Sequence, residues 1–461
     1  MKRPATPGEP TAGRTSRGAN PTNASAGPAR SVSASTSRRR SAPAPAPESA
    51  PAPTPALPLR FLEGVRIADF CWAGAGPFCT KLFSDFGAQV IKVESHTRVD
   101  PVRAGGPHKD GIAGMNRSGY FASRNSGKCS INVDLKTDAG RQLALRLIER
   151  SDVVTNNFGP GVMQRLGLGY DEARKVRPDI IHLSMPMYGQ DGPLAGLLGV
   201  GMTISAVTGL LWMTAYGSDD PVGPGTHYPD HVANPYHAAF ALLAALRHRR
   251  LTGRGMRIDL AQVESTVNFM GPALVEFART GREPAQTGNR SLVDAPHNLF
   301  ACAGKDSWCA IAVQDEAQWL ALAQAMQRSD LAADPGLRSA AGRLLRVDEL
   351  EQAVTAWTRS RRVDRVVQRL QRAGVPAAPV ARSSDLLLRD AQLAARGYWQ
   401  GVDHPEVGVT TFTSPPWLID GQRVRLQRPP LMGEHTVQIL REVIGCSEQE
   451  IARLQAQGIL H

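Results

Sequence analysis

From residue 59 onward, short apolar runs alternate with stretches of helical period. Residues 65–70 (VRIADF) read as a strand. Gly74-Ala75-Gly76-Pro77 turns the chain, and residues 78–87 read as a helix stopping at Gly87. Residues 89–95 (QVIKVES), 130–135 (SINVDL), 152–158 (DVVTNNF) and 179–189 are further extended segments, and Thr137 caps a helix over 137–151. Strands alternating with helices at this spacing predict an α/β fold with a parallel, doubly wound sheet. Ligands of such sheets sit beyond the carboxyl ends of the strands.

The pattern then changes. Residues 257–279 start as strand or helix and continue as helix. Residues 296–313 read as a hairpin turning at Gly304-Lys305-Asp306, 315–326 and 347–373 as helices, and 374–380 as a strand. Two helices, 434–445 and 447–458, close the chain. The expected organisation is a large α/β domain begun by residues 59–280, including a linker helix. A small α+β domain follows over 281–412, and a C-terminal part, 413–461, returns to the large domain. There is no internal repeat.

Composition adds the first 58 residues to this picture. They are mostly Pro, Ala, Ser, Thr and Gly, with no aromatic side chain. Such a segment buries too little apolar surface to offset its ordering and is expected to be a disordered tail. It holds eight basic residues against two acidic ones, so it carries about half of the formal net charge of +11. The remainder is close to an ordinary enzyme that binds anions, and nucleic acid is not an expected partner. Six scattered cysteines without a CxxC pair point to reduced thiols and a cytoplasmic protein. No apolar run approaches the ~20 residues needed to span a bilayer, so no membrane association is expected. The N-terminus lacks the apolar core of a secretory signal.

Candidate chemistry centres on His227-Tyr228-Pro229-Asp230-His231-Val232-Ala233-Asn234-Pro235. Asn234 suits a helix N-cap and Pro235 the first helical position. Arg247, His248, Arg249 and Arg250, then Gly253, suit the other end. Asp230 therefore falls beside the positive end of a helix, where it either caps a turn or acts as a nucleophilic or acid–base carboxylate. His227, His231 and His237 do not share a helical face, and no metal site is expected. Gly74-Ala75-Gly76 lacks the third glycine of a dinucleotide fingerprint, since Cys79 stands there. Asn157-Phe158-Gly159-Pro160-Gly161 leads into a helix with Arg165. An amide, an aromatic face and a guanidinium can together hold an adenine and a phosphate, with Lys136 as a second cation. GxSxG, Walker A and HExxH motifs are absent from the sequence.

Read in order, LEGVRIADFCWAGAGPFCTKLFSDFGAQVIKVE, RNSGKCSINVDLK, NNFGPGVMQRLGLGYDEARKVRPDIIHLSM, YGQDGP, YPDHVANPYHAAFALLAALRHRRLTGRGMRIDLAQVE, GVPAAPV and PPLMGEHT resemble the class III coenzyme A transferases. That group contains formyl-CoA transferase and carnitine CoA-transferase, and the likeness runs from about Leu59 to the C-terminus. The resemblance implies a Rossmann-like large domain, a smaller domain and two chains interlocked as a homodimer. It implies Asp230 as nucleophile and Ala73, Gly74, Lys136, Asn157, Phe158 and Arg165 as coenzyme A contacts. The implied reaction moves coenzyme A from an acyl-CoA to a free carboxylic acid through an aspartyl anhydride and an aspartyl-CoA thioester. Coenzyme A is then a substrate, with no permanently bound cofactor. Two departures stand out: Ser95 replaces the arginine that often follows "VIKVE", and no glycine-run loop occurs around 280–300. Two other readings remain. One is a 2-methylacyl-CoA racemase or epimerase, whose His-Asp pair has no counterpart at Leu198-Gly199-Val200-Gly201-Met202. The other is a catalytically silent coenzyme A-binding protein.

Overall fold

The computed structural model describes residues 59–217 and 221–460, and the expected tail, residues 1–58, lies outside them. Six strands form one sheet: β1 (Arg66–Asp69), β2 (Gln89–Glu94), β3 (Cys129–Asn132), β4 (Val153–Asn156), β5 (Ile181–Ser184) and β6 (Met256–Asp259). Their order is β3-β2-β1-β4-β5-β6, and every neighbouring pair is parallel. The apolar runs explain this arrangement. β4 and β5 are buried throughout, and β1 to β3 expose only part of their first residue, as strands covered on both faces must. β6, at the edge, alternates instead. The strand order reverses between β1 and β4, which places a crevice beyond their carboxyl ends.

Helix α1 (Ala75–Asp85) begins three residues earlier than the sequence pattern predicts. Gly76 and Pro77 fall in its first turn, where a prolyl nitrogen forfeits no helical hydrogen bond. The preceding turn is correspondingly tight. Helix α2 (Asp138–Glu149) starts as expected, with Thr137 Oγ1 accepting from the Gly140 N–H at 3.0 Å. The stretch expected as one helix over 347–373 is two, Val347–Arg359 and Val363–Arg372. The break is pinned where the Ala303 N–H donates to the Arg361 carbonyl at 2.8 Å.

The hairpin is present as β7 (His297–Ala301) and β8 (Trp308–Ala312), joined by β9 (Ala377–Pro379) in an antiparallel sheet. This sheet packs on its own apolar cluster, which includes Trp319, Leu350, Val354 and Val366. The C-terminal residues Ile439, Leu440, Ile451 and Leu454 pack with Ile91, Ile131 and Leu147 on the six-stranded sheet. Strands β10 (Trp399–Val402) and β11 (Thr410–Thr413) pair antiparallel, and Phe412 packs against Phe86 at the end of α1.

Buried charges sit under the carboxyl ends of β1 and β2. Lys128 Nζ donates to Asp69 at 2.9 Å, and the Thr80 hydroxyl donates to the same carboxylate at 2.7 Å. Lys92 Nζ donates to the Cys71 carbonyl at 2.7 Å and to Asp100 at 3.1 Å. Asp100 in turn accepts from the Ala73 N–H at 3.1 Å. Arg103 holds Glu94 through two hydrogen bonds of 2.6 Å. Burial alone would push the Asp69 carboxyl up, but Lys128, Lys92 and Thr80 together hold it below the usual range. Its stabilisation is therefore full at neutral pH and is lost only as pH falls below the ordinary carboxylate range. Lys128→Met strands a buried carboxylate, and urea denaturation is expected to show a loss of roughly 3–5 kcal/mol.

Candidate active site

Loops after β1 to β4 enclose a cavity of about 490 Å³ beyond the strand ends, lined among others by Trp72, Arg98, Lys136, Phe158 and Arg165. Trp72 meets Phe158 edge-on, with ring centroids 5.6 Å apart, and the Arg98 guanidinium lies 5.1 Å from the Trp72 ring centre. Among the described residues Lys136 and Arg165 form no ion pair with protein carboxylates. Two flat aromatic faces and three cations in a crevice of this kind suit a purine and its phosphates.

The other expected contacts lie elsewhere. Asn157 brackets the first turn: its Oδ1 accepts from the Trp72 N–H at 2.8 Å, and its Nδ2 donates to the Trp72 carbonyl at 2.7 Å. Ala73, held at a positive φ of 60°, and Gly74 carry the chain from that cavity to Asp230. A Cβ placed on Gly74 would stand 2.9 Å from Asp230 Cβ and 3.3 Å from the Tyr120 hydroxyl. A second segment makes the same passage. Leu198 lines the cavity, and a Cβ on Gly201 would stand 2.5 Å from Asp230 Oδ2. Asp230 is thus pressed between two glycines at the far end of two segments that begin in the cavity.

The turn carrying Asp230 differs from the expected one. Residues Pro229–Ala233 form a wide π-helical turn that runs directly into helix α3 (Asn234–Thr252). Asp230 therefore lies inside the helical run, and Asn234 is not a cap. The Asn234 side chain is buried, donating to Gln262 Oε1 at 3.1 Å and accepting from the Ser265 hydroxyl. Single π turns commonly mark functional positions. The far end of α3 follows expectation. Gly253 takes φ 69°, and Arg249 holds Asp179 and Asp152 at 2.8 Å each.

Burial pushes the Asp230 carboxyl above its ordinary range, against the opposing pull of His227, the Gly201 N–H and Arg124. The ionised form of Asp230 is consequently lost at higher pH than for an exposed aspartate. With an ionised Asp230 as the acting group, the acid limb of the kcat–pH profile is expected to lie above the usual aspartate range.

His231 is fixed as a neutral ring. Its Nε2 accepts from Arg124 and from the Tyr120 hydroxyl at 3.2 Å, so the proton is on Nδ1, which donates to Thr226 Oγ1 at 3.0 Å. Burial, then Arg124 and His227, bring its pKa down to about 4. His237 Nδ1 donates to the Ala233 carbonyl at 2.8 Å, and its ring packs against Phe269. Tyr120, Arg124 and Gly201 had no local sequence signal marking them as site residues.

The strand order is Rossmann-like, and Asp230 stands at the end of segments leading from a nucleotide-sized crevice beyond the strands, an α/β architecture suited to a large, phosphate-bearing ligand. The profile of CoA-transferase family III matches residues 62–436, and the chain belongs to that family as a CoA-transferase. It is 31% identical over 410 residues to succinyl-CoA–D-citramalate CoA-transferase of Chloroflexus aurantiacus, spanning 87% of this chain and 99% of that one. It is 30% identical to succinyl-CoA:glutarate CoA-transferase of Mus musculus, spanning 87% and 90%. The crystal structure of a CAIB/BAIF family protein from Brucella suis superposes with a TM-score of 0.76 at 27% identity, covering 83% of this chain and 99% of that one. Among the described residues no helix is long and apolar enough to cross a membrane.

Proposed function

We propose that Asp230 carries coenzyme A between an acyl-CoA and a free carboxylic acid. The observation behind this reading is the placement of one desolvated carboxylate where two segments leading out of the crevice converge. An Asp230 oxygen attacks the thioester carbonyl, the C–S bond breaks, and coenzyme A leaves as thiolate, giving a mixed anhydride. The thiolate then attacks Asp230 Cγ, releasing the first acid as its carboxylate and leaving an aspartyl-CoA thioester. The acceptor carboxylate attacks the same carbon and displaces the thiolate. That thiolate attacks the acceptor's carbonyl, and Asp230 returns as carboxylate. Each step exchanges one acyl bond for another, so the thioester's free energy is retained provided water stays out. The Gly201 N–H, facing the carboxylate, is placed to orient one oxygen and to take charge as it develops.

Lys136, Arg165 and Arg98 are the groups for the phosphates and Phe158 with Trp72 for the adenine, while Ala73, Gly74 and Asn157 shape the turn along which the pantetheine arm runs. A homodimer accords with the exposed apolar faces. Helix α3 exposes Phe240 and Leu243, and helix α4 (Gly271–Thr280) buries none of its own residues while exposing Leu274, Val275 and Phe277. A racemase reading finds less support, since both donors at His231 Nε2 occupy the lone pair a base would use.

Incubation with succinyl-CoA and no acceptor, followed by mass spectrometry of peptides, tests the proposal. Coenzyme A bound to the peptide holding Asp230 is the expected result. An unmodified peptide from protein that turns over succinyl-CoA and a free acid would overturn it.

A further inference from the structure

We infer that Arg124, with the Tyr120 hydroxyl beside it, anchors the non-reacting carboxylate of the acceptor, so that the acceptor is a short dicarboxylic acid. The inference rests on the coenzyme A transfer assigned to Asp230.

Among the described residues Arg124 is a cation without an ion-pair partner. Its guanidinium meets neutral groups: the Ser123 hydroxyl at 2.5 Å, His231 Nε2, and the Tyr120 ring 4.1 Å away. Its Nε is shielded from solvent and has no hydrogen-bond partner among the described residues. Arg103, on the same loop, is paired with a carboxylate, both Glu94 oxygens lying at 2.6 Å. Burying an uncompensated charge costs several kcal/mol, and an arriving anion recovers it. The planar fork, with N–H groups left unused, matches a carboxylate better than a thiolate or a single alkoxide.

The site's geometry selects which carboxylate. The phosphates of coenzyme A belong with the cations that line the cavity, and Arg124 is not among them. Arg124 acts on Asp230 through space, without an ion pair. An acid group in contact with Arg124 is thus held short of Asp230, whereas the reacting oxygen has to touch Asp230 Cγ. The anchor is nonetheless close. Asp230 Cγ lies 3.2 Å, and the Tyr120 hydroxyl 3.3 Å, from the point a Cβ on Gly74 would occupy. A short carbon bridge covers that gap, with one carboxylate at Asp230 and the other on the guanidinium. His231, kept neutral by its surroundings, adds no competing charge.

Isothermal titration of the full-length protein with succinate and with butyrate, which differ by the second carboxylate, reads the anchor without turnover. Wild type is expected to bind succinate at least about 30-fold more tightly than butyrate. Arg124→Gln should bring that ratio to within about threefold, and Arg124→Lys, keeping the charge but losing the fork, should fall between. A wild-type ratio near one, or a ratio unchanged in Arg124→Gln with a native circular dichroism spectrum, would overturn the inference. The wild-type ratio decides the matter even if Arg124→Gln fails to fold. Transfer from succinyl-CoA is assayed in parallel. A binding preference without transfer would sink the reaction assigned to Asp230 and leave the anchor standing.

Discussion

Asp230→Asn is expected to lower coenzyme A transfer by at least ~10⁴-fold, because the substitution keeps the shape of the side chain and removes the only oxygen nucleophile the mechanism uses. The coenzyme A adduct should disappear with it. Stability should move in the opposite direction. Burial raises the Asp230 carboxyl above its ordinary value, so the folded protein binds this proton more readily than the unfolded chain does. The group is least costly below the unfolded value near 3.9, and its cost is complete once pH rises through the raised folded value. At neutral pH the enzyme therefore holds an ionised carboxylate at a penalty that Asn does not carry. Asp230→Asn should be at least as stable as wild type in urea at pH 7, and the difference should vanish in acid. A residue kept for structure would show the reverse, a loss of stability together with activity. Lost transfer with undiminished stability is the signature of a group retained for chemistry at some cost to the fold.

The sheet was legible because its strands are apolar on both faces and its turns carry Gly and Pro. Burial and turn chemistry agree there, and local reading suffices. The hairpin around Gly304 and the Thr137 cap were legible for the same reason. The failures are equally local. Asn234 and Pro235 have the composition of a helix start, but Pro229 upstream opens the helical run first, and packing turns Asn234 toward Gln262. Asn157 has a role its sequence neighbours do not show: its amide bonds the Trp72 backbone, 85 residues away in the chain. The environment of Asp230 was not legible at all. Tyr120 and Arg124 reach His231 across 111 and 107 residues, and only the stacking of loops on the parallel sheet brings them together. Motif order singled out Asp230, while the groups around it are set by tertiary packing.

The second large effect is expected from a residue with no side chain. Gly201 opens the helix Gly201–Val207, and its Cα faces Asp230 so closely that a methyl group would stand 2.5 Å from Oδ2 and 2.7 Å from His227 Cβ. Neither neighbour yields easily. Asp230 is backed by Gly74, where its own Cβ lies 2.9 Å from the position of another missing methyl, and His227, just before the wide turn, accepts from the Asp230 N–H at 3.0 Å. Gly201→Ala must therefore rotate the carboxylate or shift the Gly201 N–H away from it. A displacement of about 1 Å in a reacting group costs roughly 10²-fold, and loss of one oxyanion donor 10²–10³-fold. The rate of adduct formation from succinyl-CoA in Gly201→Ala is expected to fall by about 10²- to 10³-fold in single-turnover measurements. Stability should change far less, since alanine favours a helical backbone over glycine by about 1 kcal/mol and offsets part of the strain. Adduct formation at the wild-type rate would mean that the space between Gly201 and Asp230 is wider in solution, and that the carboxylate is not held by the two glycines that flank it.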